Sequence, residues 1–406
     1  MNESGTMTKK IAMGFHTCVD YELIWNTDTV ESMIRAFEIR EDELRLDGAV
    51  HTQRDAWIFC LAHLRAGVGG EIVPDEPQSV IDFAEHFDRN VTLGGTATRA
   101  AIALDKLGYD TVLQTSCWNP YVEELLPARV KAVPGTVDDG MLYPHVVLQC
   151  AKGVRIHAND IDFVTPRENR IMVSHDLTSL DMPVLPDAFG PEIKDAWVFL
   201  LGCFSEILDR DILDRVIRNT SDLLEYLPKD CVVMYEDGCY VMKAFRYALH
   251  EHLRPYIDVL SMNEDEMQEY IGHKIDILDV KAVIGAVKCV YESLKIDHVI
   301  IHSAKWALAY GKEPQRLHDA LLGGATMAST RFRIGDDITP ENYEETKTMK
   351  DREDSVVFCE AIREALGDQV CIIPSKDMSH VEHPSVVGLG DSFAGGCLPG
   401  LIGLKG

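Results

Sequence analysis

The segment VVGLGDSFAGG, residues 386–396, sets glycines and an aspartate where an apolar stretch meets a run able to start a helix. Glycine lets the backbone approach an anion closely, because no Cβ stands in the way. Unpaired N–H groups at a helix N-terminus stabilise phosphate charge. An aspartate there can take the proton of an attacking hydroxyl. Gly388-Leu389-Gly390-Asp391 therefore has the parts for moving a phosphoryl group, although four such residues also make a plain tight turn with an aspartate cap. A second group, Asn263-Glu264-Asp265-Glu266, follows an apolar run, and Glu236 ends another. Carboxylates so placed suit Mg2+, which keeps much of its water shell. The alternative for Asn263 to Glu266 is a cap opening a helix over Met267 to Ile271, and Glu236 can be read the same way. In LGGTATRAAIALDKLGYDTVLQ, residues 93–114, a glycine pair opens a helical pattern and a strand follows. This reads as a helix N-terminus facing a polar ligand, or as ordinary turn chemistry.

These groups need elements to position them. DAWVFLLG (195–202) and CVVMYEDG (231–238) are short apolar runs that predict buried strands, and PYIDVLSMNEDE (255–266) predicts a strand ahead of an acidic turn. Val280, Val283, Ile284, Val287, Val290 and Leu294 have helical spacing, and His298 to His302 reads as a strand. Ser355 to Leu366 reads as a helix stopped at Gly367, followed by the strand Val370 to Ile373 and Pro374. Repeated strand–helix units predict an α/β fold with a mostly parallel sheet covered by helices. Ligands of such sheets bind beyond the C-terminal strand ends. Glu236, Asp237, Asn263 to Glu266, His302 and Gly388 to Asp391 all fall there. Residues 18–89 and 136–195 lack clean alternation and carry many charges, which predicts an inserted cap or lid. The polar stretch 335–354 predicts a solvated loop or helix.

Composition narrows the partners. The 406 residues favour two domains, or one with a large insertion. A formal charge of -27 repels phosphates on average, which argues against nucleic acid and anionic membranes as general partners. Eleven scattered cysteines without a CxxC pair fit reduced thiols in a cytoplasm rather than a disulfide framework or a zinc site. The opening MNESGTMTKK has no apolar stretch of signal-peptide type, and no apolar run reaches spanning length.

Taken together and in order, these blocks resemble the ADP-dependent glucokinase/phosphofructokinase family of the ribokinase-like superfamily, over most of the chain. GFHTCVD (14–20) resembles the family's opening strand, which ends on a sugar-binding aspartate. LGGTATRAA (93–101) is similar to its GGN-type turn, PHVVLQCAKG (144–153) to its lid strand, and TPRENRIM (165–172) to its P-R-x-N-R-F-I motif. MYEDG (234–238) resembles its H-x-E strand end, MNEDE (262–266) its N-x-x-E, and VGLGDSF (387–393) its catalytic turn. IIHSAKWALAYG (300–311) and LLGGATMASTRFRIGD (321–336) resemble two further blocks. Only 15 residues (406 − 391) follow Asp391, like the short tail of the ADP-dependent branch.

The resemblance implies a large three-layer α/β/α core with a smaller inserted lid that contains a β-sheet. The core is expected over 1–17, 90–135 and 196–406, and the lid over 18–89 and 136–195. It implies a cytoplasmic kinase of carbohydrate metabolism that moves the β-phosphoryl of ADP to a sugar or sugar phosphate. Asp391 is then the general base, and the N–H groups of Gly388, Leu389, Gly390 and Asp391 form the anion hole. Glu236 and Glu266 hold Mg2+, with Asp391 in the same set and Asn263 in support. Asn263, His302, Ile373, Pro374, Gly388 and Leu389 meet the nucleotide. Asp20, Gly94, Gly95 and Thr96 hold the acceptor, Arg170 meets phosphate charge and Arg167 assists.

Departures from the family pattern gather around the acceptor. His16 and Cys18 stand where asparagines are common, Thr96 replaces the asparagine of the GGN turn, Gln149 an acidic residue and Met234 a histidine. These changes alter which hydroxyls find partners, so a sugar, a sugar phosphate and a nucleoside all stay open as acceptors. The other readings are an ATP-dependent ribokinase-like kinase and a silent sugar- or nucleotide-binding sensor. His16 and His145 themselves read as structural histidines with satisfied partners.

Overall fold

The structure is a computed structural model and describes residues 9–48, 50–135, 142–180, 188–382 and 384–405. Parts of the expected segments 1–17, 18–89, 136–195 and 196–406 thus lie outside the described residues. The strands of the N-terminal half are β1 (Lys10–Gly14), β2 (Cys18–Leu23), β3 (Gly70–Ile72), β4 (Arg89–Gly94), β5 (Thr111–Thr115), β6 (Val130–Pro134), β7 (His145–Cys150), β8 (Arg155–Ala158), β9 (Ile161–Val164) and β10 (Asn169–Val173). Then come β11 (Ala196–Leu201), β12 (Val232–Glu236), β13 (Val259–Asn263), β14 (His298–His302), β15 (Trp306–Gly311) and β16 (Val370–Pro374).

Nine of these strands form one sheet in the order β16-β15-β14-β13-β12-β11-β1-β5-β6. Its pairs are parallel except β14–β15 and β15–β16. The continuous apolar runs follow from burial on both faces. On one face, Phe199, Leu201, Val233, Tyr235, Val299 and Ile301 pack in a core with residues of the helices Arg210–Leu224, Lys243–Leu253, Val280–Leu294 and Glu353–Leu366. On the other, Val198, Leu200, Val232, Met234 and Ile300 pack with residues of Thr96–Lys106, His318–Ile334 and Leu389–Cys397. The fold is thus a three-layer α/β/α arrangement, as the alternating units predict.

The helix Leu389–Cys397 is seated by close approach. A Cβ on Gly396 would lie 2.5 Å from the Gly323 carbonyl oxygen of the helix His318–Ile334. The second glycine pair of the 386–396 segment therefore serves helix packing, and only the first stands at the cavity.

A smaller five-stranded sheet runs β3-β10-β7-β2-β4. Its strands do alternate. Val19, Tyr21 and Leu23 of β2, Val146 and Leu148 of β7, and Ile171 and Val173 of β10 join Val30, Ile34, Trp57, Leu61 and Phe83 from the helices Thr27–Ala36, Gln53–Ala66 and Pro77–Ala84 in a separate core. The period of two leaves Cys18, Asp20, His145, Arg170 and Met172 on the opposite face. The polar stretch 335–354 holds the helix Pro340–Thr348, with mostly exposed side chains, and the start of Glu353–Leu366. Among the described residues, no helix is long and apolar enough to cross a membrane.

Candidate active site

The polar face of the small sheet and the C-terminal strand ends of the large sheet enclose a cavity of about 310 Å3. From the expected set, Asp20, Gly95, Thr96, Arg170, Glu236, Asn263, Glu266, His302, Gly388, Gly390 and Asp391 all line it. These residues come from segments up to 371 positions apart (391 − 20).

Asp391 lies in the first turn of Leu389–Cys397, whose N-cap Gly388 has a φ of 68°. This left-handed backbone, with a would-be Cβ 2.8 Å from Arg99 Cδ, explains the glycine there. Asp391 is not an aspartate cap. Its Oδ1 accepts a 2.8 Å hydrogen bond from Thr96 Oγ1, and its Oδ2 lies 3.8 Å from Arg99 Nε. Arg99 is the residue that local reading missed. Its side chain is 4% exposed, and its Nη2 lies 2.6 Å from Asp20 Oδ2 and 3.6 Å from Glu22 Oε1. Burial opposes its charge, but Asp20, Asp391 and Glu22 outweigh that and hold the guanidinium more firmly protonated than usual. A signal was present: Arg99 is one helical turn from Thr96 and stands among Ala97, Ala100 and Ala101.

The metal candidates sit at the ends of β12 and β13. His302 Nε2 is 3.2 Å from Glu236 Oε1, and the His302 ring stacks on Phe393 at 4.3 Å between centroids. Glu236 Oε2 is buried with no hydrogen-bond partner. Asn263 caps the helix Glu264–Ile271, accepting from the N–H groups of Asp265 and Glu266, while Glu266 Oε2 accepts from Asn263 N at 2.8 Å. The cap and the acidic cavity wall are therefore one device, and the cap reading of Asn263 to Glu266 is met. Burial, then the Asp237 and Glu236 carboxylates, push the Glu266 carboxyl well above its usual range. Asp237 also lines the cavity, lies 3.5 Å from Arg246 and accepts from the Tyr270 hydroxyl at 2.9 Å.

His16, Cys18 and His145 occupy the inner wall. His16 Nε2 and His145 Nε2 lie 3.4 Å and 3.2 Å from Asp176 Oδ2. Burial disfavours charge on both rings, yet the Asp176 hydrogen bonds win and raise both histidines. The same contacts overcome burial at Asp176 and hold it well below the usual carboxylate range. Nothing local in the sequence pairs Asp176 with these histidines.

Other expected residues stand elsewhere. Arg167 donates to the Gly67 carbonyl and lines a separate cleft with Gln149. Ile373 is buried in the core, and Pro374 pairs with Trp306 on β15, two strands from His302. Leu389 and Gly94 are not on the cavity wall, although Gly94 abuts the Asp20 carboxylate. Arg170 reaches the cavity and also pairs with Glu71 at 3.0 Å.

The sequence pattern of the ADP-specific phosphofructokinase/glucokinase conserved region matches residues 9–399. The chain belongs to this family. It is a kinase, a phosphotransferase with an alcohol group as acceptor. No curated protein matches it in sequence. Among solved structures, it is similar to a phosphofructokinase from Pyrococcus horikoshii OT3 with AMP, at 16% identity and a TM-score of 0.75, covering 97% of this chain and 98% of the other. It is similar to an ADP-dependent kinase in complex with fructose-6-phosphate and ADPβS, at 15% identity and 0.73, covering 97% and 94%. A last common ancestor of ADP-dependent phosphofructokinases from Methanosarcinales gives 16% and 0.71, covering 98% and 94%. At these identities the likeness is one of fold.

Proposed function

We propose that this kinase transfers the β-phosphoryl group of ADP to a hydroxyl of a sugar or sugar phosphate, leaving AMP. The observation that carries this reading is the Asp391 carboxylate, held by Thr96 and Arg99 at the mouth of a glycine-led helix and facing the same cavity as Glu236 and Glu266. Asp391 takes the proton of the acceptor hydroxyl as its oxygen bonds to phosphorus. The bond between that phosphorus and the bridging oxygen breaks, and the electron pair leaves with AMP. The N–H groups of Leu389, Gly390 and Asp391 have no partner within the helix, so they are available to the phosphoryl oxygens. Asp20 and Arg170, from the small sheet, face the acceptor side.

Mg2+ fits the acidic corner by its chemistry. Glu236 Oε2 is buried and unpaired, and Glu266 is pushed up by burial and then by the Asp237 and Glu236 carboxylates, so the corner is one where a hard cation would offset crowded carboxylates. When bound there, Mg2+ supplies charge neutralisation for the phosphoryl group. The large sheet with its helices acts as the core, and the small sheet, which takes β4 from the expected core segment 90–135, acts with its helices as the lid whose closure excludes water, while Phe189 and Ile193 of the expected lid segment 136–195 pack in the large-sheet core. Arg167, Gln149 and the strand end at Ile373 and Pro374 lie outside the cavity that supports this reading.

The acceptor is expected to differ from those of relatives with asparagines at 16 and 18, since His16 and Cys18 line the cavity and the Thr96 hydroxyl is engaged by Asp391. A panel of sugars, sugar phosphates and nucleosides, run with ADP-Mg2+ and ATP-Mg2+ side by side, tests the proposal. AMP formed in step with phosphorylated acceptor is the expected result. Transfer from ATP with ADP inert overturns the donor assignment.

A further inference from the structure

The inner wall of the cavity carries a donor set separate from Asp391, Glu236 and Glu266. One ligand atom from each of His16, Cys18 and His145 lies within 4.8 Å of the other two, and all three residues are buried. Asp176, whose side chain is 2% exposed, directs Oδ2 at both imidazoles. Its other oxygen, Oδ1, accepts from Thr178 N at 2.8 Å and Thr178 Oγ1 at 2.7 Å, which fixes the carboxylate plane. We propose that His16, Cys18 and His145 form a three-ligand site for a zinc-class divalent cation, with the Asp176 carboxylate orienting both imidazoles.

Three physical points carry this. The first is spacing. Charge-assisted hydrogen bonds between nitrogen and a carboxylate normally shorten to about 2.7–2.9 Å, and these contacts are 3.4 and 3.2 Å. The three ligand atoms lie within 4.8 Å of one another, near enough for side-chain rotation to bring them to the roughly 3.3 Å that separates two ligands of one tetrahedral zinc bound at about 2.0–2.1 Å. The second is chemistry. Two imidazoles and a thiolate suit zinc, whereas Mg2+ prefers oxygen and water. The Cys203 thiol also faces His16, which adds a soft atom at the border. The third is rigidity. Cys18 and His145 project from the paired strands β2 and β7, His16 precedes β2, and Asp20 stands opposite His145 in register. Ligands on paired strands with an oriented second partner match how metal sites are held. Sequence spacing hides the set, because its members and Asp176 span 160 positions (176 − 16) and contain no CxxC. Binding replaces the Cys18 thiol proton with the metal and ties the strand that carries Asp20 to β7 and to Asp176.

The test uses the full chain without nucleotide or acceptor, so its outcome is independent of the kinase reading. Chelator-stripped protein is titrated with Zn2+ and, separately, with Co2+ followed by absorbance, in excess Mg2+. One equivalent should bind per chain, with tetrahedral Co2+ bands and a thiolate-to-metal band. Cys18→Ser should lose the thiolate band, and His145→Gln should weaken zinc binding about 10–100-fold or more, as loss of a ligand or its support does. Cys239→Ser, an exposed cysteine outside the cluster, should behave as wild type. If a variant misfolds, the wild-type Co2+ spectrum alone decides: octahedral bands without a thiolate transition overturn the proposal. So does stoichiometric binding that survives both ligand substitutions, or no binding in excess Mg2+.

Discussion

Arg99→Met removes one charge from the middle of the site while keeping an unbranched side chain of similar reach. Arg99, Asp20 and Glu22 have side-chain exposures of 4%, 8% and 19%, so water screens them little. Breaking a buried ion pair by removing one partner costs about 3–5 kcal/mol, because the other charge is left uncompensated. Unfolding entropy of roughly 2.1 cal/mol/K per residue gives about 0.85 kcal/mol/K for a chain of 406 residues that unfolds as one unit. The expected fall in Tm is therefore about 4–6 °C. A double-mutant cycle with Asp20→Asn isolates the pair. In the Arg99→Met background, Asp20→Asn should cost at least about 1 kcal/mol less than in wild type. Arg99→Lys should recover little, since a point charge cannot serve Asp20 and Asp391 as the planar fork does. Denaturant unfolding with a common m-value supplies the numbers. An Arg99→Met variant within about 0.5 kcal/mol of wild type, or strictly additive single mutants, refutes the argument.

Thr96→Val deletes the hydrogen bond to Asp391 Oδ1 at near-constant volume. A hydrogen bond to a charged group contributes about 1.5–3 kcal/mol, so kcat should fall roughly 10–100-fold with little change in nucleotide affinity, read by steady-state kinetics and titration. The raised Glu266 carboxyl sets a pH dependence. Its folded form binds a proton more tightly than its unfolded form, so this group lowers stability as pH rises from the ordinary glutamate range through the raised value. Mg2+ should therefore raise Tm more near pH 8 than near pH 5 in thermal shift, and Glu266→Gln should flatten that difference. An equal Mg2+ effect at both pH values contradicts a cation at this corner.

Much of the large sheet was legible because burial on both faces writes itself as uninterrupted apolar runs. Val232 to Tyr235 and Val299 to Ile301 are such runs, and each ends in a polar residue at the cavity. The cap at Asn263 was legible too, since Asn263 and Glu266 have capping-box spacing. The small sheet was harder. Its strands are short, separated by five helices and by β5 and β6 of the large sheet, and paired out of chain order, so the alternation in Cys18 to Leu23 has meaning only once β7 and β4 lie beside it. Arg99 was hidden for a related reason. A buried arginine becomes explicable only when Asp20 and Asp391 arrive from strands and helices far along the chain. Arg167 illustrates the reverse: a motif position near the expected site turns its guanidinium to a backbone carbonyl of the Gly67 turn. Asp176 had no local signal toward the site, because the two histidines it meets sit 160 and 31 positions away.

The central claim is that Asp391 takes the proton of the attacking hydroxyl in a cavity built to hold the phosphoryl group. Its most direct test is Asp391→Asn, in which the amide oxygen can still accept from Thr96. With the acceptor from the panel and ADP-Mg2+ as donor, kcat should fall on the order of 10²–10⁴-fold, as for loss of a general base. Nucleotide affinity and Tm should stay close to wild type. An Asp391→Asn enzyme that turns over at the wild-type rate contradicts the account.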